Sequence, residues 1–138
     1  VLGKPAPQGS KRHVGRGVMV ESSKRCKPWR QDVRTTAFEA RPRGWADLLD
    51  RPIFISITFV FARPKNHFRT NGDLRPSAPD HCITRIGDVD KLSRSILDSC
   101  ADGVLYKADE QVVSLIAHKR YANNREQPCA IITVTALP

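Results

Sequence analysis

The apolar run Ile53–Ala62 limits the possible folds of this chain more than any other segment. Isoleucine or phenylalanine occupies every second position, at 53, 55, 57, 59 and 61. This period of two predicts a β-strand with one face turned toward a core. The intervening positions include Phe54 and Val60, so the second face is expected to be partly covered, as in a central strand. The run also contains Ser56 and Thr58, and it is far shorter than the roughly 20 apolar residues of a membrane-spanning helix.

The segments around this strand predict a domain of the α+β class. Pro28–Arg41 is compatible with a helix, and Val89–Cys100 has the apolar spacing of three and four residues that is typical of an amphipathic helix. Short strands are predicted at Val18–Val20, Gln111–Lys119 and Ala130–Ala136. The polar residues between the last two strands favour a hairpin. The order of elements predicts a small mixed β-sheet with two packed helices.

Length and charge point to one domain with an anionic partner. The 138 residues fit a single domain, with a basic N-terminal segment at 1–30 and a long basic loop at 63–87. Lys and Arg number 23 against 14 Asp and Glu, a net charge of +9, which favours nucleic acid as a partner. No basic amphipathic helix indicates membrane binding.

The cysteines give no sign of a zinc finger or a disulfide framework. Cys26, Cys82, Cys100 and Cys129 are scattered without a CxxC pair. They are expected to be buried thiols in a reducing cytoplasm, and the protein is expected to be cytoplasmic.

Three acidic residues are candidate metal ligands. Asp88 and Asp90 stand at the start of the second predicted helix, and Asp109 precedes the next predicted strand. If Val89 turns into the core, the first two carboxylates point outward together. A suitable turn after the helix would bring Asp109 to them. Carboxylate oxygens are ligands that Mg²⁺ prefers, and such an ion can activate water and neutralise a phosphate.

The same residues have a purely structural interpretation. Aspartate commonly caps helices, and acidic residues are ordinary in turns. Asp90, Arg94 and Asp98 are four residues apart and could form a ladder of charges along a helix. An acidic cluster in a strongly basic chain favours the metal site, but both interpretations remain open at this stage.

The stretch from Arg85 to Lys119 resembles the RusA family of Holliday junction resolvases, or crossover junction endodeoxyribonucleases, which are common in phages and prophages. The residues that carry the resemblance are Asp88-Val89-Asp90-Lys91-Leu92, then Leu97-Asp98, then Asp109-Glu110-Gln111-Val112-Val113, and finally Lys119. Weaker similarity lies in the basic segments Gly3–Pro5, Gln8–Arg12 and Lys27–Arg30. The resemblance covers most of the chain, from about Gly3 to Thr135.

The resemblance implies a RusA-like fold and an endonuclease that depends on Mg²⁺, with Mn²⁺ as a possible substitute. It implies a homodimer that resolves four-way DNA junctions by paired nicks in recombination and repair, with no organic cofactor. It assigns the metal to Asp88, Asp90 and Asp109. Arg94 stands where members often have a catalytic lysine; arginine can bind a phosphate but cannot lose a proton. Gly87 follows Ile86 where members often have a basic residue and a proline.

Two groups of basic residues are predicted to contact the DNA backbone. They are Lys4, Lys11, Arg12 and Arg16 in the N-terminal segment, and Arg63, Lys65 and Arg69 in the long loop. The dimer surface is expected on the spare face of the central strand, at Phe54 and Val60, or on the helix that bears Leu97. The alternatives are a non-catalytic nucleic-acid-binding module and a nuclease that acts on flaps or forks.

Overall fold

The helices and strands follow the predicted order, with one additional strand near the N-terminus. The computed structural model describes residues 1–9, 11–13, 19–21, 24–83, 87–123 and 125–138, with the backbone alone for 11–13 and 19–21. The elements are strands β1 (Lys11–His13) and β2 (Met19–Glu21), helix α1 (Cys26–Glu39), strand β3 (Ile53–Phe61), helix α2 (Val89–Cys100), and strands β4 (Val112–Tyr121) and β5 (Cys129–Ala136). The predicted α+β arrangement is confirmed. Val18, at the start of the first predicted strand, lies outside the described residues.

Strand β3 is the centre of a three-stranded mixed sheet with the order β4-β3-β5. It pairs in parallel with β4 and antiparallel with β5. The predicted hairpin between the last two strands is wrong. After β4 the chain crosses the end of β3, where the Ala122 amide donates to the Phe61 carbonyl at 2.8 Å, so β5 pairs on the far side. Strands β1 and β2 form a separate antiparallel pair.

One face of β3 forms the floor of the core. Its isoleucines and phenylalanines are at most 1% exposed, and they belong to one cluster with Trp29 and Val33 of α1 and with Leu92 and Ile96 of α2. Each fully buried side chain of this kind contributes about 1.5–3 kcal/mol through the hydrophobic effect. The two helices also pack against each other. The helix start of α2 lies at the margin of this core, since Val89 is 38% exposed.

The opposite face of β3 is partly covered, as its composition predicts. Phe54 is half-buried, whereas Val60 is completely buried within the chain. Val60 is one of the candidate dimer contacts that the sequence offers, and the structure removes it from that set because no part of its side chain is accessible. Ile116 and Ile131, from the two outer strands, remain 54% and 50% exposed on this face.

The long segment after β3 is tied back to the sheet. The Arg63 guanidinium donates to the carbonyls of Ala122 and Pro79 at 2.8 and 2.7 Å and contacts the carboxylate of Asp80 at 3.1 Å. A short 3-10 turn spans Lys65–His67. These contacts give the loop a defined course over its described part.

None of the helices in the described ranges has the length and apolar character needed to cross a membrane.

Candidate metal and DNA-binding site

Asp88 occupies the N-cap position of α2 without acting as a cap. Its backbone is extended, and its carboxylate makes no capping hydrogen bond. The carboxylate instead pairs with Lys91 at 3.4 Å, and both side chains are substantially exposed. A surface ion pair of this kind is worth about 0–1 kcal/mol. The Asp88 carboxylate can therefore be redirected toward a ligand at small cost.

The start of α2 is held from two sides. The backbone amide of Gln8 donates to the Lys91 carbonyl at 3.0 Å, and the Lys119 ammonium donates to the Gly87 carbonyl at 2.8 Å. Gly87 has a φ of +146°, and a Cβ there would lie 3.0 Å from the ring of Pro7. Any other residue would be strained in this conformation. The residue types at this point thus fix where the helix begins.

The turn after α2 returns the chain along the helix. The Tyr106 hydroxyl donates to the Leu97 carbonyl at 2.9 Å, and the Leu105 amide donates to the Cys100 carbonyl at 2.8 Å. The indole of Trp45 donates to the Leu105 carbonyl at 3.0 Å. These contacts hold the segment between α2 and β4 against the end of the helix, so that the chain turns back along α2.

Gln111 locks the short turn Asp109–Gln111 that precedes β4. Its side-chain oxygen accepts from the amides of Lys107 and Ala108 at 2.7 and 3.0 Å, and its side-chain nitrogen donates to the carbonyls of Leu49 and Arg51 at 2.7 and 3.0 Å. The first two hydrogen bonds close the turn itself, and the last two connect it to the segment just before β3. In the sequence Gln111 is only part of a motif, although its side-chain amide can accept and donate hydrogen bonds at the same time.

Two of the three predicted metal ligands face one cavity. Its volume is about 420 Å³, and its lining includes Asp90 and Arg94 of α2, Asp109 and the side of β4 at Leu115. Asp88 is not part of this lining. In the described parts of the chain, no three His, Cys, Asp or Glu side chains are gathered closely enough to hold a metal ion. The structure brings Asp90, Arg94 and Asp109 together and leaves Asp88 at the helix start.

Asp109 also borders a second cavity, of about 390 Å³, which carries Arg30, Asp98 and Asp102. Loss of hydration raises the pKa of the Asp109 carboxyl, the negative charges of Asp98 and Asp102 raise that pKa further, and Arg30 opposes them. A negative charge at Asp109 is thus incompletely compensated by the protein. An oxygen ligand in this state suits a hard divalent cation, so the donor chemistry fits Mg²⁺. This environment has no signal in the sequence, since Arg30 lies on α1, far from Asp109 along the chain.

Arg94 is not engaged in the predicted ladder of charges. Asp98 pairs with Arg30 of α1 at 3.4 Å, and Arg94 forms no ion pair with any of the described residues. The Arg94 side chain is exposed at the cavity that it lines with Asp90 and Asp109, which we call the acidic cavity. Its guanidinium is consequently available to an incoming anion.

The residues predicted to contact DNA differ in their exposure to solvent. Lys4, Lys65 and Arg69 are exposed, whereas the Arg63 side chain is only 5% exposed and its nitrogens are used within the chain. The side chains of Lys11 and Arg12 and the whole of Arg16 lie outside the described parts of the structure.

Comparison with protein-family models gives a match over residues 3–135 to the family described as Endodeoxyribonuclease RusA. The match covers nearly the whole chain and includes the three acidic residues and Arg94. Comparison with curated proteins gives no match.

Proposed function

This chain belongs to the RusA family of endodeoxyribonucleases, and we propose that it resolves Holliday junctions by paired, metal-dependent nicks during DNA recombination and repair. Members of the family are in general endonucleases that resolve such junctions. The observation that carries the proposal for this chain is the common cavity of Asp90, Arg94 and Asp109. This cavity combines oxygen ligands for a cation with a cation for a phosphate.

Asp88, Asp90 and Asp109 are the proposed ligands of Mg²⁺, for which Mn²⁺ can substitute. When bound, the ion supplies a more acidic water and charge neutralisation at the phosphate. The raised pKa of Asp109 supports this assignment, because a cation would relieve the repulsion from Asp98 and Asp102. The exposed position of Asp88 beside Lys91 supports it too, since that ion pair is weak enough to exchange for a metal.

Arg94 is the proposed phosphate-binding residue. Its guanidinium presents a planar set of donors that can bind two phosphate oxygens at once. Because arginine keeps its proton throughout the accessible pH range, Arg94 stabilises negative charge and does not transfer a proton. Its position at the acidic cavity, free of ion pairs with the described residues, supports this role.

DNA is held through its phosphates by basic residues outside the acidic cavity. The exposed residues Lys4, Lys65 and Arg69 are proposed contacts, together with the basic N-terminal segment. Arg63 contributes by keeping the loop of Lys65 and Arg69 in place, as its contacts to Ala122 and Asp80 indicate. Such contacts supply affinity without sequence preference. Action on junction DNA further implies the cytoplasm of a bacterium or of a phage-infected cell.

A homodimer is proposed because resolution needs two nicks on opposed strands, and the described residues of each chain supply the one metal site proposed above. Two copies related by a two-fold axis match a substrate of the same symmetry. Ile116 and Ile131 are large apolar side chains left exposed on the sheet face away from the helices. These two side chains are available for contact with a second copy, and we place the dimer surface on this face.

The proposal is tested by cleavage of a synthetic mobile four-way junction beside linear duplex, a flap and a fork of related sequence. Each DNA is incubated with the protein, with and without Mg²⁺. We expect symmetric nicks in the junction that require the metal. Cleavage confined to flaps or forks would show that these structures, and not the junction, are the substrate. Tight binding without cleavage in Mg²⁺ or Mn²⁺ would favour a non-catalytic binding module.

A further inference from the structure

Lys119 has an unusual position for a charged residue. It lies on the face of β4 that is turned toward the helices, opposite the completely buried Phe59 of β3, and it is half-buried there. A charged group that is partly withdrawn from water is stabilised by a specific partner. That partner is the Gly87 carbonyl, which accepts a hydrogen bond from the Lys119 ammonium at 2.8 Å.

This hydrogen bond connects the two segments that carry the acidic residues. Gly87 immediately precedes Asp88, and Lys119 belongs to the strand that begins directly after the turn of Asp109. Strand β4 also lines the acidic cavity through Leu115 and Ala117. A contact between Lys119 and Gly87 therefore sets the start of α2 relative to β4, the strand that directly follows the turn of Asp109.

We propose that Lys119 is a positioning residue of the metal site, whose hydrogen bond to Gly87 holds Asp88 and Asp90 in register with Asp109. The proposal rests on the function proposed above. Lys119 acts through the backbone of Gly87 and does not touch the metal or the phosphate. Removal of such a supporting contact commonly costs 10–100-fold in metal affinity or activity.

The sign of the effect separates positioning from simple electrostatics. A nearby ammonium repels a divalent cation, so the loss of its charge alone would strengthen metal binding. The loss of a positioning contact would weaken metal binding in spite of the removed charge. The substitution Lys119→Met deletes both the charge and the hydrogen bond while keeping an unbranched side chain that lacks only the terminal nitrogen.

The first measurement is Mn²⁺ binding to the full chain without DNA. Free Mn²⁺ is measured by its electron paramagnetic resonance signal, which decreases as the ion binds. We expect Lys119→Met to weaken Mn²⁺ binding about 10-fold and Lys119→Arg, which keeps a donor, to recover most of the affinity. Arg120→Met is the matched control. Arg120 is the next residue, points to the opposite face of the sheet and pairs with Glu126 at 2.7 Å, so we expect its loss to leave Mn²⁺ affinity unchanged. Unchanged or tighter binding in Lys119→Met would overturn the proposal.

The second measurement is junction cleavage at saturating DNA, with thermal unfolding to confirm that each variant is folded at the assay temperature. We expect Lys119→Met to reduce kcat about 10-fold or more and to leave the Kd for the junction within about threefold. Lys119→Gln serves if the methionine variant does not fold. A parent protein that binds Mn²⁺ but cuts no DNA would refute the nuclease and leave the positioning role standing. A parent that cuts, with Lys119 variants equal to it in both assays, would refute the positioning role alone.

Discussion

Asp90 and Asp109 line the same cavity of about 420 Å³, although Asp90 belongs to the first turn of α2 and Asp109 to the turn before β4. Their meeting depends on the segment between them, which the Tyr106 hydroxyl ties to the Leu97 carbonyl at 2.9 Å. The acidic cavity lies in a chain of net charge +9. A basic protein with a local acidic site can attract DNA and still hold a cation against it.

Arg94 is expected to act during cleavage rather than in binding. Replacement by Gln removes the charge that stabilises the phosphate, and we expect kcat to fall about 100-fold with little change in the Kd for the junction. Arg94→Lys should retain more activity because it keeps a charge. Single-turnover cleavage at saturating enzyme measures this directly. An Arg94→Gln variant that cuts within twofold of the parent would remove Arg94 from the site.

The basic N-terminal segment is expected to determine the salt dependence of binding. Each neutralised phosphate contributes about −0.9 to the slope of log Kobs against log salt on duplex DNA, so replacing Lys11 and Arg12 with Ala should flatten the slope by up to about 1.8. The control replaces Arg43 and Arg51, two exposed arginines outside the proposed contacts, and changes the net charge equally. Equal slopes for both double variants would mean that the N-terminal pair does not touch the backbone.

The elements of this fold that the sequence predicts correctly are those determined by residues adjacent in the chain. The alternation in β3 is a property of neighbouring residues, and all of its predicted core positions are buried. The spacing of Asp88 and Asp90 at a helix start is equally local, and α2 begins at Val89 as expected. In both cases the residues that determine the structure are adjacent in the chain.

Contacts between distant residues account for what was not predictable. The pairing of β5 with β3 instead of β4 depends on the path of the chain between β4 and β5. Hydrophobic periodicity contains no information on that path. The same limit applies to Arg63, whose sequence neighbourhood is that of a DNA-binding loop but whose guanidinium is bonded to Ala122 and Pro79. The placement of Arg30 beside Asp98 likewise follows only from the packing of α1 on α2.

The dimer is expected to be stable in solution and to use the open face of the sheet. Sedimentation equilibrium should give twice the chain mass of 15.4 kDa, and Ile116→Asp should shift the protein toward the monomer because it buries a charge at the interface. Ile83→Asp is the control, since Ile83 is 88% exposed and lies outside the sheet. A parent that is monomeric with and without junction DNA would exclude paired nicking by a dimer.

The ion pair between Arg120 and Glu126 is expected to stabilise the fold near neutral pH and to lose this contribution in acid. Hydrogen bonds from Arg120 and from the Asn123 amide lower the pKa of Glu126 from 4.5 to about 2. Because the folded-state pKa is depressed, the stabilisation is present above pH 4.5 and is lost as the pH falls toward 2. We expect Glu126→Gln to be less stable than the parent by about 1 kcal/mol near neutral pH. Thermal unfolding at several pH values should show this gap narrowing with acid; a constant gap would contradict the assignment.

The central claim is that the acidic residues hold a metal that cuts DNA, and Asp90→Asn tests it most directly. The substitution keeps the shape of the side chain but removes a charged ligand. Junction cleavage in Mg²⁺ and junction binding without metal are measured side by side, with Asp47→Asn as a control at an exposed carboxylate outside the site. We predict that Asp90→Asn abolishes cleavage and binds the junction as tightly as the parent or more tightly, because one repulsive charge is gone. Cleavage by Asp90→Asn at a rate near that of the parent would contradict the account.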